Sequence, residues 1–455
     1  MTATVPATLP ATLPATGTAR PVPALGRPRL AKLPTVAERT LDNGLRVLAV
    51  RRPSVPLVEL RLRIPFSGSG AGHAAKAQLL GDTLLAGTAR RSGEQLAADL
   101  QALGASLSAS ADSDRLGLGG SVLVAGLAGL LDLLGEVLTT ASYPKHEVVG
   151  ERDRLVQELA IYRSQAGVIA REALLHRLYG DHPYGRELPT ADAVAGVKPG
   201  ALRTLHAKRV APAGSVLVLV GDLQPARAIA AVEQALGSWS ADGTAQEAPP
   251  LPAPPGGPAL LVDRPGAVQT SLRMAGPAPH RLHPDHPAFT LANLVFGGYF
   301  SSRWVANIRE DKGYTYSPHS GVEHPPAGSR ITLATDVATD VTAPAVVETL
   351  YELGRLTTLP VTQAELDQAR RYAVGSLAMS TATQAGLAGT MSVLSASGLG
   401  VSWLREHPQR LQGVGVDDVL AAAARYLAPA GLTTVLVGDA EQILGPVGRV
   451  LPLSP

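Results

Sequence analysis

Chemistry in this 455-residue chain has to be built from 11 histidines and the carboxylates, because it contains no cysteine. That removes thiol catalysis, disulfide frameworks, iron–sulfur clusters and Cys-based zinc sites together. The densest imidazole group is His280-x-x-His283-x-x-His286. A helix would bring positions three apart to one side, but Pro284 and Pro287 break it. The spacing therefore predicts a solvated loop ahead of a helix over 288–296, with no shared metal. His182-Pro183-Tyr184-Gly185 reads as a turn with a structural histidine. Gly117-x-Gly119-Gly120 is followed neither by the third glycine of a dinucleotide fingerprint nor by a phosphate-binding lysine. No Gly-x-Ser-x-Gly elbow supports a serine hydrolase.

The elements that must position any site are written twice. Ala211-Pro212-Ala213-Gly214 leads to Val218-Leu219-Val220-Gly221-Asp222, and 217 residues later Ala428-Pro429-Ala430-Gly431 leads to Val435-Leu436-Val437-Gly438-Asp439. In each copy a helix ends at a Pro/Gly turn, a short apolar strand follows, and Gly-Asp closes it. After Asp222, Pro225–Trp239 has helical spacing, with Ile229, Val232, Leu236 and Trp239 on one face. Strand-then-helix patterns recur at Arg115–Leu138 and Arg330–Leu353. Tyr143-Pro144 and Leu359-Pro360 each introduce a charged helix, about 145–164 and 362–379. The predicted fold is α+β: two homologous α/β domains from one internal duplication, over 35–240 and 259–450. Residues 241–258, with Pro249-Pro250, Pro254-Pro255 and Gly256-Gly257, form a linker that neither pairs nor coils. Residues 1–34 repeat Pro-Ala-Thr-Leu and predict a disordered tail. Its Leu13-Pro14-Ala15-Thr16-Gly17 matches a sortase pattern that belongs at the other end of a chain. The net charge of +2, from 40 Lys+Arg against 38 Asp+Glu, argues against nucleic-acid or anionic-membrane binding. The most lipophilic stretch, Ser121–Leu138, carries Asp132 and Glu136 and is too short to span a bilayer. A cytoplasmic protein is expected.

With its opening strand Leu41–Val50, this two-half layout resembles the M16 metallopeptidase family (pitrilysin, insulin-degrading enzyme, mitochondrial processing peptidase) over roughly 38–445. The resemblance implies two sandwich-like domains of the LuxS/MPP-like metallohydrolase fold. The family's first helix carries His-x-x-Glu-His and then Gly-Thr. Both histidines project onto Zn²⁺ from one helical face, and the glutamate deprotonates the metal-bound water. Here Gly87-Thr88 is present, but the three motif positions fall on Gln78, Gly81 and Asp82. The family's third ligand falls on Glu158, with Glu151 seven residues earlier. Gln78, Asp82 and Glu158 lack the imidazole donors zinc favours, and Gly81 cannot act as a base. Glu158 then reads as a relic or a helix ion-pair partner, and no metal is expected in this chain.

In the second half, Phe296–Arg303 leads into Ile308-Arg309-Glu-Asp-Lys-Gly-Tyr314-Thr-Tyr316. This is similar to the family segment whose Arg and Tyr, seven apart, reach across to the zinc half to bind substrate backbone and the developing oxyanion. Here the pair is Arg309 and Tyr316. The bland alternative has Arg309 capping a helix or pairing with a surface carboxylate, and Tyr316 filling a strand face. The resemblance implies a non-catalytic subunit of a heterodimer. Its M16 partner brings His-x-x-Glu-His and zinc, this chain supplies Arg309 and Tyr316 in trans, and the substrate is a peptide. Two other readings stand beside it: a scaffold with no part in catalysis, and an independent enzyme with another metal at Gln78, Asp82 and Glu158.

Overall fold

Two six-stranded mixed sheets, each covered by helices, organise the computed structural model, which describes residues 33–70 and 72–454. The tail expected over 1–34 lies outside them except for Leu33 and Pro34. The first sheet contains β1 (Thr35–Thr40), β2 (Arg46–Arg51), β3 (Leu57–Pro65), β4 (Ser106–Ala111), β5 (Arg115–Leu123) and β6 (Val216–Gly221), in the order β1-β2-β6-β3-β5-β4. The second contains β7 (Ala259–Asp263), β8 (Gln269–Ala278), β9 (His319–Glu323), β10 (Ser329–Ala338), β11 (Thr433–Gly438) and β12 (Leu453–Ser454), in the order β12-β7-β11-β8-β10-β9. Five positions correspond one to one. The repeated apolar runs become β6 and β11, each parallel to one neighbour and antiparallel to the other. Every residue of β6 is buried, as a strand covered on both faces requires. The sixth position differs: β1 pairs antiparallel with β2, whereas β12 arrives from the far end of the chain and pairs parallel with β7.

Two expectations need correcting here. Leu41–Val50 is not one strand, because the chain turns at Asn43-Gly44 (φ +87° at Gly44), where Asn43 Oδ1 accepts from Leu45 N at 3.1 Å. β1 precedes that turn as a hairpin partner. The linker also pairs: Gln246 bridges Phe66, with Ser67 N donating to Gln246 O at 2.8 Å and Gln246 N to Pro65 O at 3.1 Å.

Each sheet has one face on helices of its own half and the other on a helix from the opposite half. Ala166–Tyr179, in the first half, lies on β8 and β11, where Ala170, Leu174 and Leu178 meet Ala275, Val435 and Val437. Gln384–Ala396, in the second half, lies on β3 and β6, where Leu387, Met391 and Leu394 meet Val216, Val218 and Val220. At about 1.5–3 kcal/mol for each large apolar side chain buried, this exchange makes the two halves depend on each other.

The histidines at 280, 283 and 286 do not form one solvated loop. His286 opens the helix His286–Asn293 and is 4% exposed, its ring 5.3 Å from that of His324 and 5.2 Å from that of His407. Proline does break the helix between them, but the reversed chain turns His286 inward onto residues distant in sequence. Burial comes first in holding these imidazoles neutral; Arg281 repels all three, neighbouring histidines add to this at His286 and His324, and Arg410 adds at His407. The pKa falls to about 2 at His286, about 3 at His324 and about 4 at His407. Unfolded histidine titrates near 6.5, so the unfolded chain takes up protons that the folded chain refuses. Stability present above that value is lost as pH falls. From His286, His324 and His407 together, the unfolding free energy should drop by about 4 kcal/mol between pH 7 and 5.5. Urea titrations over this range should show the drop, and His407→Phe, which keeps the stack on Trp403, should remove about a third of it.

Candidate functional site

The helix His73–Thr83 holds the three positions that correspond to the zinc motif. Its apolar residues Leu79, Leu80 and Leu84 face the core, which leaves Gln78 half-buried and Asp82 at the surface. Gly81 faces β4. A Cβ there would stand 2.8 Å from Ala111 N and 3.1 Å from Ser110 C, so the helix lies flush on the strand only because position 81 has no side chain. Glu158 lies on the neighbouring helix Lys145–Tyr162 and is held there by a cation of its own helix. Arg154 donates to Glu151 one turn before it and to Glu158 one turn after it. Asp82 stands close enough to feel all three. Crowding by protein atoms, then repulsion by Glu151 and Glu158, pushes its carboxyl up to about 6 against the pull of Arg154.

The structure thus brings Asp82, Glu151 and Glu158 into one electrostatic neighbourhood, but around a guanidinium. Among the described residues, no group of three or more His, Asp or Glu side chains could hold a metal ion. These residues do not fit zinc.

The retained Gly87-Thr88 has a structural task instead. Thr88 Oγ1 donates to the buried carboxylate of Glu136 and accepts from Arg90 N at 3.1 Å and Arg91 N at 3.0 Å, while Arg90 and Arg91 pair with the same carboxylate. Thr88→Val keeps the shape and removes the hydroxyl from a charged partner. It should cost about 2 kcal/mol of unfolding free energy, read by urea denaturation.

Arg309 and Tyr316 do come together, in a separate place. Arg309 sits in a π-helical turn, Ala306–Asp311, oriented from both sides. Trp304 Nε1 donates to Thr349 Oγ1 at 3.0 Å, and Asn307 Nδ2 donates to Glu348 at 2.9 Å and Glu352 at 3.0 Å. The turn ends at Gly313, after which Thr315 Oγ1 donates to Asp336 O of β10 at 2.7 Å. That anchor returns the chain so that the Tyr316 ring stands 5.0 Å from the Arg309 guanidinium carbon. The Phe300 ring also stands against this carbon, at 4.2 Å. Arg309 caps no helix but does pair with a surface carboxylate, Glu310 at 3.5 Å, and Tyr316, 82% exposed, fills no strand face. No hydrogen bond or ion pair among the described residues joins this pair to Gln78, Asp82 or Glu158.

Sequence reasoning missed Phe300, whose type gave no hint of an exposed position. It also missed a cavity of about 940 Å³ between the helix Ala166–Tyr179 and residues 185–193, which opens beside Gly72 and Ala74. Tyr162, Ile169, Leu188 and Pro189 make it apolar, and its charges are paired, Arg163 with Glu172 and Arg171 with Glu187. Such a groove suits the side chains of an extended peptide.

Comparison with known proteins gives a consistent picture. A family profile described as "Insulinase (Peptidase family M16)" matches residues 70–192, and one described as "Peptidase M16 inactive domain" matches residues 196–372. An uncharacterized zinc protease of Mycobacterium leprae is 28% identical over 301 residues, 65% of this chain and 67% of that protein. This chain thus spans about two thirds of the length of that relative. The uncharacterized zinc protease YmxG of Bacillus subtilis is 24% identical over 375 residues, 81% of this chain and 88% of its own. Among solved structures, a peptidase M16 inactive domain from Pseudomonas fluorescens superposes with a TM-score of 0.82 and 25% identity over 89% of this chain and 98% of that one. A protease from Helicobacter pylori shares the fold, with a TM-score of 0.80 at 18% identity over 90% and 100% of the two chains.

Proposed function

Because the chain belongs to the M16 peptidase family, yet has Gln78, Gly81 and Asp82 where that family's zinc motif stands, we propose that it is the non-catalytic, substrate-binding subunit of a heterodimeric M16 peptidase. The observation that carries this reading is an asymmetry between the halves. The metal half is closed, with Gly81 flush on β4 and Arg154 occupying the carboxylates. In the other half, Arg309 and Tyr316 are assembled, Tyr316 exposed and Arg309 half-buried beside it.

A companion subunit carrying His-x-x-Glu-His brings the zinc. Arg309 then offers its planar N–H donors to substrate carbonyls, and the Tyr316 hydroxyl offers one more donor where oxyanion charge develops. The substrate is an unfolded peptide in the cytoplasm, a leader or targeting segment among the candidates, with the groove at Ile169 and Leu188 taking its apolar side chains. The test is reconstitution. The isolated chain should carry no stoichiometric zinc by elemental analysis and cleave nothing, and adding it to the companion should raise peptide turnover. A companion fully active alone, and unchanged by the addition, would leave this chain a scaffold.

A further inference from the structure

We propose that Phe300 is a positioning residue for Arg309, so that Phe300, Arg309 and Tyr316 act as one clamp on a carbonyl- or carboxylate-bearing stretch of unfolded polypeptide. The ligand half of this inference rests on the substrate-binding reading above, whereas the positioning half stands on geometry alone.

The guanidinium carbon of Arg309 lies 4.2 Å from the Phe300 ring centroid and 5.0 Å from that of Tyr316. The cation thus stands over both aromatic rings within cation–π distance, a favourable arrangement. Its N–H donors lie in the guanidinium plane, where a carbonyl or carboxylate oxygen binds. Neighbouring cations are engaged differently. Arg303 is closed onto Glu365 by two hydrogen bonds, 2.6 and 2.9 Å, and Lys312 pairs with Glu348 at 3.4 Å. The Arg309 side chain makes no hydrogen bond among the described residues, and its ion-pair contact is Glu310 at 3.5 Å.

Phe300 is 62% exposed, so core packing does not account for it. The backbone around it is nonetheless fixed on both sides. The ring of Tyr299 stacks on Tyr372 at 4.9 Å, Ser302 N donates to Tyr299 O at 3.2 Å, and Arg303 is locked to Glu365. An exposed aromatic on a rigid support, laid over a long flexible cation, restricts the rotamers of that cation before any ligand arrives.

Arginine-selective ¹⁵N NMR of the full chain tests the positioning directly. One Nε–Hε signal, assigned by its loss in Arg309→Lys, should be displaced upfield by ring currents. Phe300→Ala should return it toward the other arginines, and Phe300→Tyr should leave it displaced. Anisotropy of fluorescein-labelled casein, an unfolded polypeptide, tests the clamp. Phe300→Ala should weaken binding about three- to fivefold, the value of one such stack. Phe300→Tyr should restore it, and Phe300→Ala should add nothing in an Arg309→Ala background. An undisplaced wild-type signal, or one that Phe300→Ala leaves in place, overturns the positioning role. Additive losses from the two alanine variants overturn the clamp. If Arg309→Ala binds casein as wild type does while the signal behaves as expected, it is the substrate-binding reading that fails.

Discussion

Restoring the metal motif by substitution is expected to fail: Gln78→His, Gly81→Glu and Asp82→His together should lower the unfolding free energy by about 3 kcal/mol or more and bind no stoichiometric zinc. The obstacle is at position 81. A Cβ there already stands 2.8 Å from the Ala111 backbone nitrogen, and a strand backbone cannot yield as a flexible side chain can. Overpacking of this kind costs about 1–3 kcal/mol and occasionally more. A glutamate also brings a carboxylate that must be desolvated against the strand. The remaining ligand position is engaged as well, because Arg154 holds Glu158 from within its own helix. The paired variant Gln78→His/Asp82→His, which leaves Gly81 alone, should keep wild-type stability and separate the two obstacles. Urea denaturation and elemental analysis read the outcome. A triple variant of undiminished stability holding one zinc per chain would refute the claim that the metal site is closed.

This closure was half legible in the sequence. Gly81 could be read as the loss of a base, but its positive use, a close approach of helix to strand, needs the location of β4. Other elements divide along the same line. The repeats ending at Asp222 and Asp439 were readable because turn chemistry and apolar runs are local signals, and they became equivalent strands. The crossing of Ala166–Tyr179 and Gln384–Ala396 onto each other's sheets was not readable. Their apolar residues declare that something is covered, not whose sheet it is. His286 shows the same limit. Its prolines announce a broken helix correctly, yet its burial depends on His324 and His407, which no local pattern links to it. At the second site, the resemblance to the family segment pointed to Arg309 and Tyr316. Phe300 went unnoticed because an apolar residue in an apolar segment reads as core.

The second large effect concerns that pair. Arg309→Ala together with Tyr316→Ala removes the donors offered to the substrate carbonyl and leaves the surrounding anchors, Trp304 to Thr349 and Asn307 to Glu348, in place. Tyr316 is exposed and Arg309 buries no ion pair, so the fold and the assembly should persist. Loss of one oxyanion donor typically costs about 10²–10³ in turnover, and losing both residues should cost at least that much. The decisive measurement is therefore the turnover number for an unfolded peptide of the companion zinc subunit, mixed to equal occupancy with the wild-type chain or with this double variant. The account predicts that the wild type supports cleavage and that the variant complex falls by at least about 10². Equal turnover in the two complexes would contradict it.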